Sequence, residues 1–337
     1  MNALFSTLRG DSAVRQLADA LGGEPQQILA HGFAGSMKHA AVAAAYDRSP
    51  RPLAIVTSGR EALRAWQEDL ASLLPEADVY ELPELDRVDF AAPGAAKGLE
   101  RSAQRMNILA RLLRHEPIIV LAEIGAAAQR GLSTAEFSRA ALSLRLGEEL
   151  PRDTLLERLT ALGYEHVAEV EHVGQFSVRG GIVDIFPINA LSPIRVEFFD
   201  TEIDSMREYD PLTKRSIKNI GTASVMALRA ADDEGGACFL TYLGRAGITL
   251  FDEPSRLIAA LSDAVQEDEV RAARLFSWAE MAAAGAAGHE LFASLMSRSF
   301  PSCTPTALIA FQMVPMTAFQ RQFALLESEL RRYLADG

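Results

Sequence analysis

Cysteine is scarce in this sequence, and the few cysteines stand apart from one another. Only Cys238 and Cys303 occur among 337 residues, and neither lies in a CxxC pair or near a cluster of histidines. Isolated thiols of this kind are typical of a reducing compartment, so we expect two free thiols rather than a disulfide. The same scarcity gives no basis for a metal site, and we expect no cofactor.

Long apolar runs are also lacking. The longest fall well short of the roughly 20 consecutive apolar residues that a membrane-spanning helix needs. The amino terminus shows no basic segment followed by an apolar one, which is the pattern of a secretory signal, and it is instead typical of an amphipathic helix. We therefore expect a cytoplasmic protein with no membrane partner.

Positive charge is outweighed by negative charge. The chain has 33 Lys and Arg against 45 Asp and Glu, which gives a formal charge of −12. A field of this sign repels phosphate backbones, so we expect no strong autonomous DNA binding. The hydrophobic share of 49% is ordinary for a globular protein, and the length suits two or three compact units.

The two ends of the chain alternate between strand and helix patterns. Buried strands are predicted at residues 28–31, 53–57, 117–122 and 248–251. Helices are predicted at residues 38–46, 60–74, 99–115, 255–266, 270–284 and 316–334. Strands that alternate with helices indicate a parallel α/β sheet built from βαβ units.

The middle of the chain has a period of two instead. A strand with alternating leucines at residues 142–146 and a helix at residues 151–163 precede the extended segments. Those segments are predicted at residues 166–170, 175–186, 194–199 and 203–209, and residues 200–202 are predicted to form the tight hairpin between the last two. Gly180 and Gly181 indicate a bulge or a close backbone approach. We predict a small α+β, mainly antiparallel unit at residues 140–215, inserted between α/β parts at residues 1–139 and 216–337.

Residues 32–39 resemble a phosphate-binding loop that has lost key residues. Such a loop reads GxxxxGK[ST], and its glycines, lysine and hydroxyl serve the phosphates and Mg²⁺. Here Gly32, Gly35 and Lys38 are present, but Met37 replaces the glycine beside the lysine and His39 replaces the hydroxyl residue. A side chain at position 37 crowds the phosphate path, and imidazole is a poor Mg²⁺ ligand. We predict a degenerate P-loop.

An acidic strand end resembles the metal-binding strand of a nucleotide site. Phe251 is followed by Asp252 and Glu253, although this sequence before a proline is also an ordinary turn. A live nucleotide site therefore stays open as the alternative hypothesis.

An exposed aromatic surface is predicted on the inserted unit. Period two separates Ile194, Val196 and Phe198 from Arg195, Glu197 and Phe199, and it likewise places Ser177 and Arg179 opposite Phe176 and Val178. An aromatic side chain among arginines on a sheet surface has the composition of an interface hot spot. The alternative is that Phe199 packs beneath the hairpin or against the neighbouring α/β unit, and that Arg195 pairs with Glu197.

The inserted segment resembles a known family. Residues 174–187 read GQFSVRGGIVDIFP, residues 195–200 read RVEFFD and residues 202–205 read EIDS, followed by Asp210 and Pro211. This resembles the GEFxxRGGxxDIFP signature shared by the excision-repair protein UvrB and the bacterial transcription-repair coupling factor, Mfd. The short connection at residues 82–87, which leaves no room for UvrB's DNA-clamping hairpin, and the degenerate P-loop favour the coupling factor.

The resemblance implies a degenerate RecA-like lobe, split by a small UvrB-like domain that recruits UvrA. By position, the family's UvrA-contacting residues fall on Arg179, Arg195 and Phe199. It implies a non-catalytic docking module of transcription-coupled nucleotide excision repair that recruits UvrA to stalled transcription complexes. The other implied partners are the translocase and RNA-polymerase-binding domains of a longer parent chain, of which we expect this to be a fragment. The alternative is an ATPase or helicase lobe of a UvrB-like repair protein.

Overall fold

A computed structural model describes residues 7–8, 10–33, 35–85, 95–228, 236–312 and 323–335. The last two residues of the predicted connection at residues 82–87 and the start of the helix predicted at residues 316–334 lie outside these ranges. Within them, no helix combines the length and the apolar character needed to cross a membrane.

The α/β part of the fold begins with strands and helices in strict alternation. Its elements are α1 (Ser12–Gly22), β1 (Gln27–His31), α2 (Met37–Arg48), β2 (Leu53–Thr57), α3 (Arg60–Leu73), β3 (Val79–Glu81), α4 (Ala95–Leu113), β4 (Ile119–Glu123), α5 (Ile124–Ala128), β5 (Arg130–Gly131) and α6 (Thr134–Arg139). The amphipathic pattern of α3 is a good example of why these segments are helical, because Leu63, Trp66 and Leu70 recur at helical spacing and are all fully buried.

The middle of the chain is mostly strand. Its elements are β6 (Ala141–Arg145), α7 (Arg152–Ala161), β7 (Glu165–His166), β8 (Gln175–Arg179), β9 (Ile182–Ile185), β10 (Ile194–Phe199), β11 (Glu202–Tyr209), β12 (Ser216–Asn219) and β13 (Thr222–Met226). The chain then returns to α/β structure. Its last elements are β14 (Ala237–Cys238), a 3-10 turn (Phe239–Leu243), β15 (Ile248–Asp252), α8 (Pro254–Glu267), α9 (Glu269–Ala272), α10 (Trp278–Gly285), β16 (His289–Ser294), β17 (Ala307–Ala310) and α11 (Phe323–Ala335).

Two sheets carry the architecture. The larger has the order β17-β1-β16-β15-β2-β4-β3 with every pair parallel. The smaller has the order β12-β11-β10-β9-β8-β7 and is antiparallel except for the β7–β8 pair. Separately, β6 pairs with β13. The predicted fold class, a parallel α/β sheet with a small and mainly antiparallel unit, is confirmed.

The hydrophobic core lies on both faces of the large sheet. One buried cluster joins this sheet to α1, α2 and α3. The other joins its opposite face to α4 and α8, and it continues without interruption into the inner face of the small sheet. Burial on both faces explains why the parallel strands appear in the sequence as unbroken apolar runs.

Three local predictions are wrong. Residues 270–284 form two short helices rather than one, because the chain between them pairs with α5 and β5: the Phe276 amide donates to the Ala128 carbonyl, and Ser277 begins α10 with a capping box. Residues 175–186 form two strands joined by a turn, with Gly180 at φ 61°, rather than one extended segment. The close backbone approach predicted here is confirmed at Gly181, where an added Cβ would lie 3.2 Å from the carbonyl oxygen of Phe198.

The extended segment predicted at residues 166–170 is the third. Only its first residue, His166, is in a strand, because the chain turns away soon afterwards. The side-chain oxygen of Gln175 stabilises that turn by accepting hydrogen bonds from the amides of Glu171 and His172.

Candidate functional site

The degenerate P-loop connects β1 to α2, as the sequence predicts. Gly32 has a φ of 88°, and a Cβ atom placed on it would lie 2.1 Å from the carbonyl oxygen of Phe311. Phe33 stacks on Phe311 with ring centroids 4.3 Å apart. Gly32 is therefore required by the close approach of the chain that follows β17. Gly35 also has a positive φ, 56°, but open space surrounds it.

Lys38 is held inside the protein. Its ammonium group forms an ion pair with Asp252 at the end of β15, and the two side chains are only 13% and 5% exposed. The indole Nε1 of Trp66 donates to the second oxygen of Asp252 at 2.8 Å. The cation that would reach the phosphates of a nucleotide is thus neutralised by the carboxylate that would serve the metal.

His39 is packed against the same tryptophan. Its Nδ1 lies 2.6 Å from Asp69 Oδ2, and its ring centroid lies 4.0 Å from the Trp66 indole. Burial lowers the pKa of His39, although the hydrogen bond to Asp69 opposes that shift. The imidazole therefore contacts Asp69 and Trp66 within the protein, and it supplies no hard oxygen ligand for Mg²⁺.

The outer face of the small sheet is the second candidate site. Strand pairing aligns Arg195 with Asp184 and, one strand further, with Ser177; it also aligns Glu197 with Ile182 and Arg179. Paired residues of antiparallel strands point to the same side of a sheet. All three residues predicted to bind UvrA therefore belong to one face, since Phe199 shares the parity of Arg195 within β10.

The predicted division of faces in β10 is confirmed by burial. Ile194 and Val196 are buried, and Phe198 packs against the core from its edge. Phe199 is 76% exposed, so the alternative in which it packs beneath the hairpin or against the neighbouring α/β unit is wrong. Arg179, at the end of β8, is also exposed.

Arg195 is less exposed than its two predicted companions. It donates to both oxygens of Asp184 at 2.7 Å from Nε and Nη2, and its side chain is 20% exposed. Its guanidinium carbon lies 5.0 Å from the centre of the Tyr209 ring. The alternative pairing of Arg195 with Glu197 is wrong.

Glu197 has other partners. It accepts hydrogen bonds from Arg207 at 2.5 Å and from Ser205 at 2.7 Å, both across the strand pair. Sequence reasoning missed Asp184, Tyr209 and Arg207 as neighbours of this surface. The available signal was Asp184 itself, a single acid within an otherwise apolar strand.

A cavity of about 620 Å³ lies between α4 and the small unit. Its cations are compensated within the protein, since Arg111 and Arg114 pair with Glu116, and Lys218 pairs with Glu208. In the part of the chain that the structure describes, no group of three or more His, Cys, Asp and Glu side chains is arranged to hold a metal ion. Neither feature indicates a ligand.

Comparison with known proteins agrees with this picture of the small unit. Residues 142–230 match the family model described as the UvrB interaction domain. The transcription-repair-coupling factor of Bacillus subtilis (strain 168) is 34% identical over 215 residues, which cover 61% of this chain and 18% of that protein. Those of Staphylococcus haemolyticus (strain JCSC1435) and Staphylococcus aureus (strain bovine RF122 / ET3-1) are 28% and 29% identical, and each match covers 65% of this chain and 18% of the relative.

The resemblance predicted from the sequence is therefore confirmed. The chain spans less than a fifth of the length of the relatives it matches. Their name describes factors that couple transcription to repair.

Proposed function

We propose that this chain is a docking module of transcription-coupled nucleotide excision repair, which recruits UvrA to stalled transcription complexes through the outer face of its small sheet. The observation that carries the proposal is the 76% exposure of Phe199 within the segment that matches the UvrB interaction domain. Burial of an aromatic side chain stabilises it by about 2 kcal/mol of free energy relative to exposure in water. A partner surface that covers Phe199 can supply this burial. Arg179 and Arg195 lie on the same face and can donate charge-assisted hydrogen bonds.

The proposal includes the absence of catalysis by this chain. The ion pair between Lys38 and Asp252 supports it, because a nucleotide would have to separate two buried charges before the lysine could reach a phosphate. The alternative, an ATPase or helicase lobe, requires that separation together with a Mg²⁺ site that Met37 and His39 do not supply.

The wider setting follows the relatives. We propose a cytoplasmic protein that acts beside translocase and RNA-polymerase-binding domains, with no strong DNA binding of its own. The division into units at residues 1–139, 140–215 and 216–337 stays a prediction.

The test is binding to immobilised UvrA by biolayer interferometry. Phe199→Ala should weaken binding about 30-fold, the equivalent of roughly 2 kcal/mol, because the anchor is lost. Leu212→Ala is the matched control, since Leu212 is an apolar residue of the same unit that is 91% exposed in the turn after β11. It should bind almost as the native chain does.

The melting temperature of each variant completes the test. Neither substitution should change it, because an exposed side chain contributes little to the core. Equal binding of native and Phe199→Ala chains would refute the proposed surface. A large loss of stability in Phe199→Ala would mean that the side chain is packed rather than offered to a partner.

A further inference from the structure

Arg195 is fixed from two sides. Asp184, directly opposite it on β9, accepts from Nε and Nη2 in a fork with both distances at 2.7 Å. The ring of Tyr209 lies beneath the guanidinium group, whose central carbon is 5.0 Å from the ring centre. Asp184 and Tyr209 are buried, so the support for Arg195 belongs to the body of the sheet rather than to its surface.

The fork leaves one edge of the guanidinium group for a partner. Nε and Nη2 are occupied by Asp184, and no hydrogen bond joins Nη1 to any residue within the described ranges. The planar group cannot turn without breaking the fork, so the direction of the remaining N–H bonds is set before any partner arrives. Preorganisation of this kind reduces the entropy lost on binding.

The pair is also electrically neutral. A carboxylate at 2.7 Å compensates the charge of Arg195, and the low exposure of both groups limits screening by solvent. Arg179 differs, because it is exposed and takes part in none of the salt bridges found among the described residues. The two arginines of one surface therefore present different chemistry.

We propose that Asp184 is a positioning residue that makes Arg195 a neutral, directional donor, and that its acceptor on the partner is an uncharged oxygen such as a backbone carbonyl. Arg179 supplies the charge-dependent contact. This inference rests on the proposed docking to UvrA, and it adds that the two arginines make different kinds of contact with the partner.

Glu197 provides the matched control. It lies on the same face of the small sheet, pairs with an arginine, and changes the net charge by the same amount when it is neutralised. Asp184→Asn should weaken UvrA binding about 10-fold, which corresponds to roughly 1.4 kcal/mol. Glu197→Gln should stay within about twofold of the native chain, because Arg207 is not the donor proposed here. Equal losses in both variants would mean that only net charge matters and would overturn the proposal, as would native affinity in Asp184→Asn.

Salt dependence tests the nature of the acceptor. Affinities for UvrA are measured from about 0.1 M to about 0.5 M salt, a range over which the screening length shortens about twofold. Arg179→Ala should flatten the dependence, whereas the double variant Asp184→Asn/Arg195→Ala, which removes the pair without changing the net charge, should lower affinity and leave the slope unchanged. A slope that the double variant flattens as much as Arg179→Ala does would contradict an uncharged acceptor on the partner.

A measurement on the free chain keeps the positioning claim separate from the docking claim. In a nitrogen-15 spectrum, the Nε–H signal of Arg195, assigned by its absence in Arg195→Lys, should exchange slowly with solvent. It should exchange rapidly in Asp184→Asn and remain slow in Glu197→Gln. If Asp184→Asn fails to fold, Asp184→Glu, which keeps the charge but moves the carboxylate oxygens away from their positions 2.7 Å from Nε and Nη2, should still accelerate the exchange. Rapid exchange in the native chain would refute the positioning role, whereas slow exchange without UvrA binding would refute only the docking function.

Discussion

The ammonium group of Lys38, in the first turn of α2, pairs with the carboxylate of Asp252 at the end of β15. These two residues occupy the positions that would hold the phosphates and the metal of a nucleotide site. Trp66 completes the arrangement by donating to the free oxygen of the same carboxylate. Contacts within the protein thus replace those that a nucleotide would make. The ion pair between Lys38 and Asp252 links helix α2 to strand β15 of the large sheet.

Lys38→Met should reduce the free energy of unfolding by about 3 kcal/mol, because it leaves Asp252 charged and buried without its cation. Urea denaturation measures the change. Arg48→Met is the control, since Arg48 forms an exposed pair with Asp19 and should cost less than about 1 kcal/mol. Equal costs would contradict a stabilising role for the buried pair.

A fluorescent ATP analogue with Mg²⁺ should show no saturable binding up to about 1 mM, the limit of very weak association. The physical reason is that a phosphate would have to displace Asp252 from Lys38. Fluorescence anisotropy provides the measurement. Saturable binding that Lys38→Met abolishes would support the nucleotide-binding alternative.

Gly32→Ala should destabilise the fold far more than Gly35→Ala. Both glycines have a positive φ, which costs an L-residue about 1–2 kcal/mol. At Gly32 the added methyl group would also collide with the Phe311 carbonyl, whereas at Gly35 it meets open space. Thermal unfolding of the two variants checks the difference, and equal losses would mean that the contact with Phe311 is not needed.

Glu290→Gln should stabilise the chain at pH 8 and have little effect near pH 4. Burial raises the pKa of Glu290 above its ordinary 4.5, so between pH 4.5 and the folded pKa the native state binds more protons than the unfolded state does. Stability contributed by this group is therefore present below pH 4.5 and is lost as the pH rises through the folded pKa. Its Oε1 atom has no hydrogen-bond partner in the described structure, while Oε2 accepts from Gln27 at 2.7 Å, a bond that glutamine can keep.

Thermal unfolding of the native chain and of Glu290→Gln at several pH values measures how the difference in their stability depends on pH. The neighbouring thiol of Cys303 does not contribute to this pH dependence between pH 4 and pH 8, because burial raises the pKa of Cys303 to about 11. A difference that does not grow between acid and alkaline pH would contradict the raised pKa of Glu290.

The sequence predicts those parts of the fold whose hydrophobic pattern is unambiguous. β2 and β10 have the predicted bounds, and α3 buries the three predicted side chains. β16 was not predicted, because it begins with His289 and Glu290, two polar residues that are buried in the centre of the sheet. β17 has only four residues and lies at the edge, where burial imposes little pattern.

The candidate surface illustrates the same limit. Period two within β10 correctly separates the buried face from the exposed face, so the exposure of Phe199 follows from the sequence. The partner of Arg195 does not follow, because it is chosen by the pairing of β10 with β9 and not by spacing within one strand. Residues directly opposite one another across strands are closer than residues two apart along a strand. Asp184 therefore takes the place that spacing within the strand had given to Glu197.

Calorimetric titration of the native chain into purified UvrA tests the central claim most directly. The account predicts saturable binding at a fixed stoichiometry, and loss of that binding in a Phe199→Ala chain that melts as the native chain does. The absence of binding by the folded native chain would contradict the docking function and would leave a UvrB-like fold without the proposed partner.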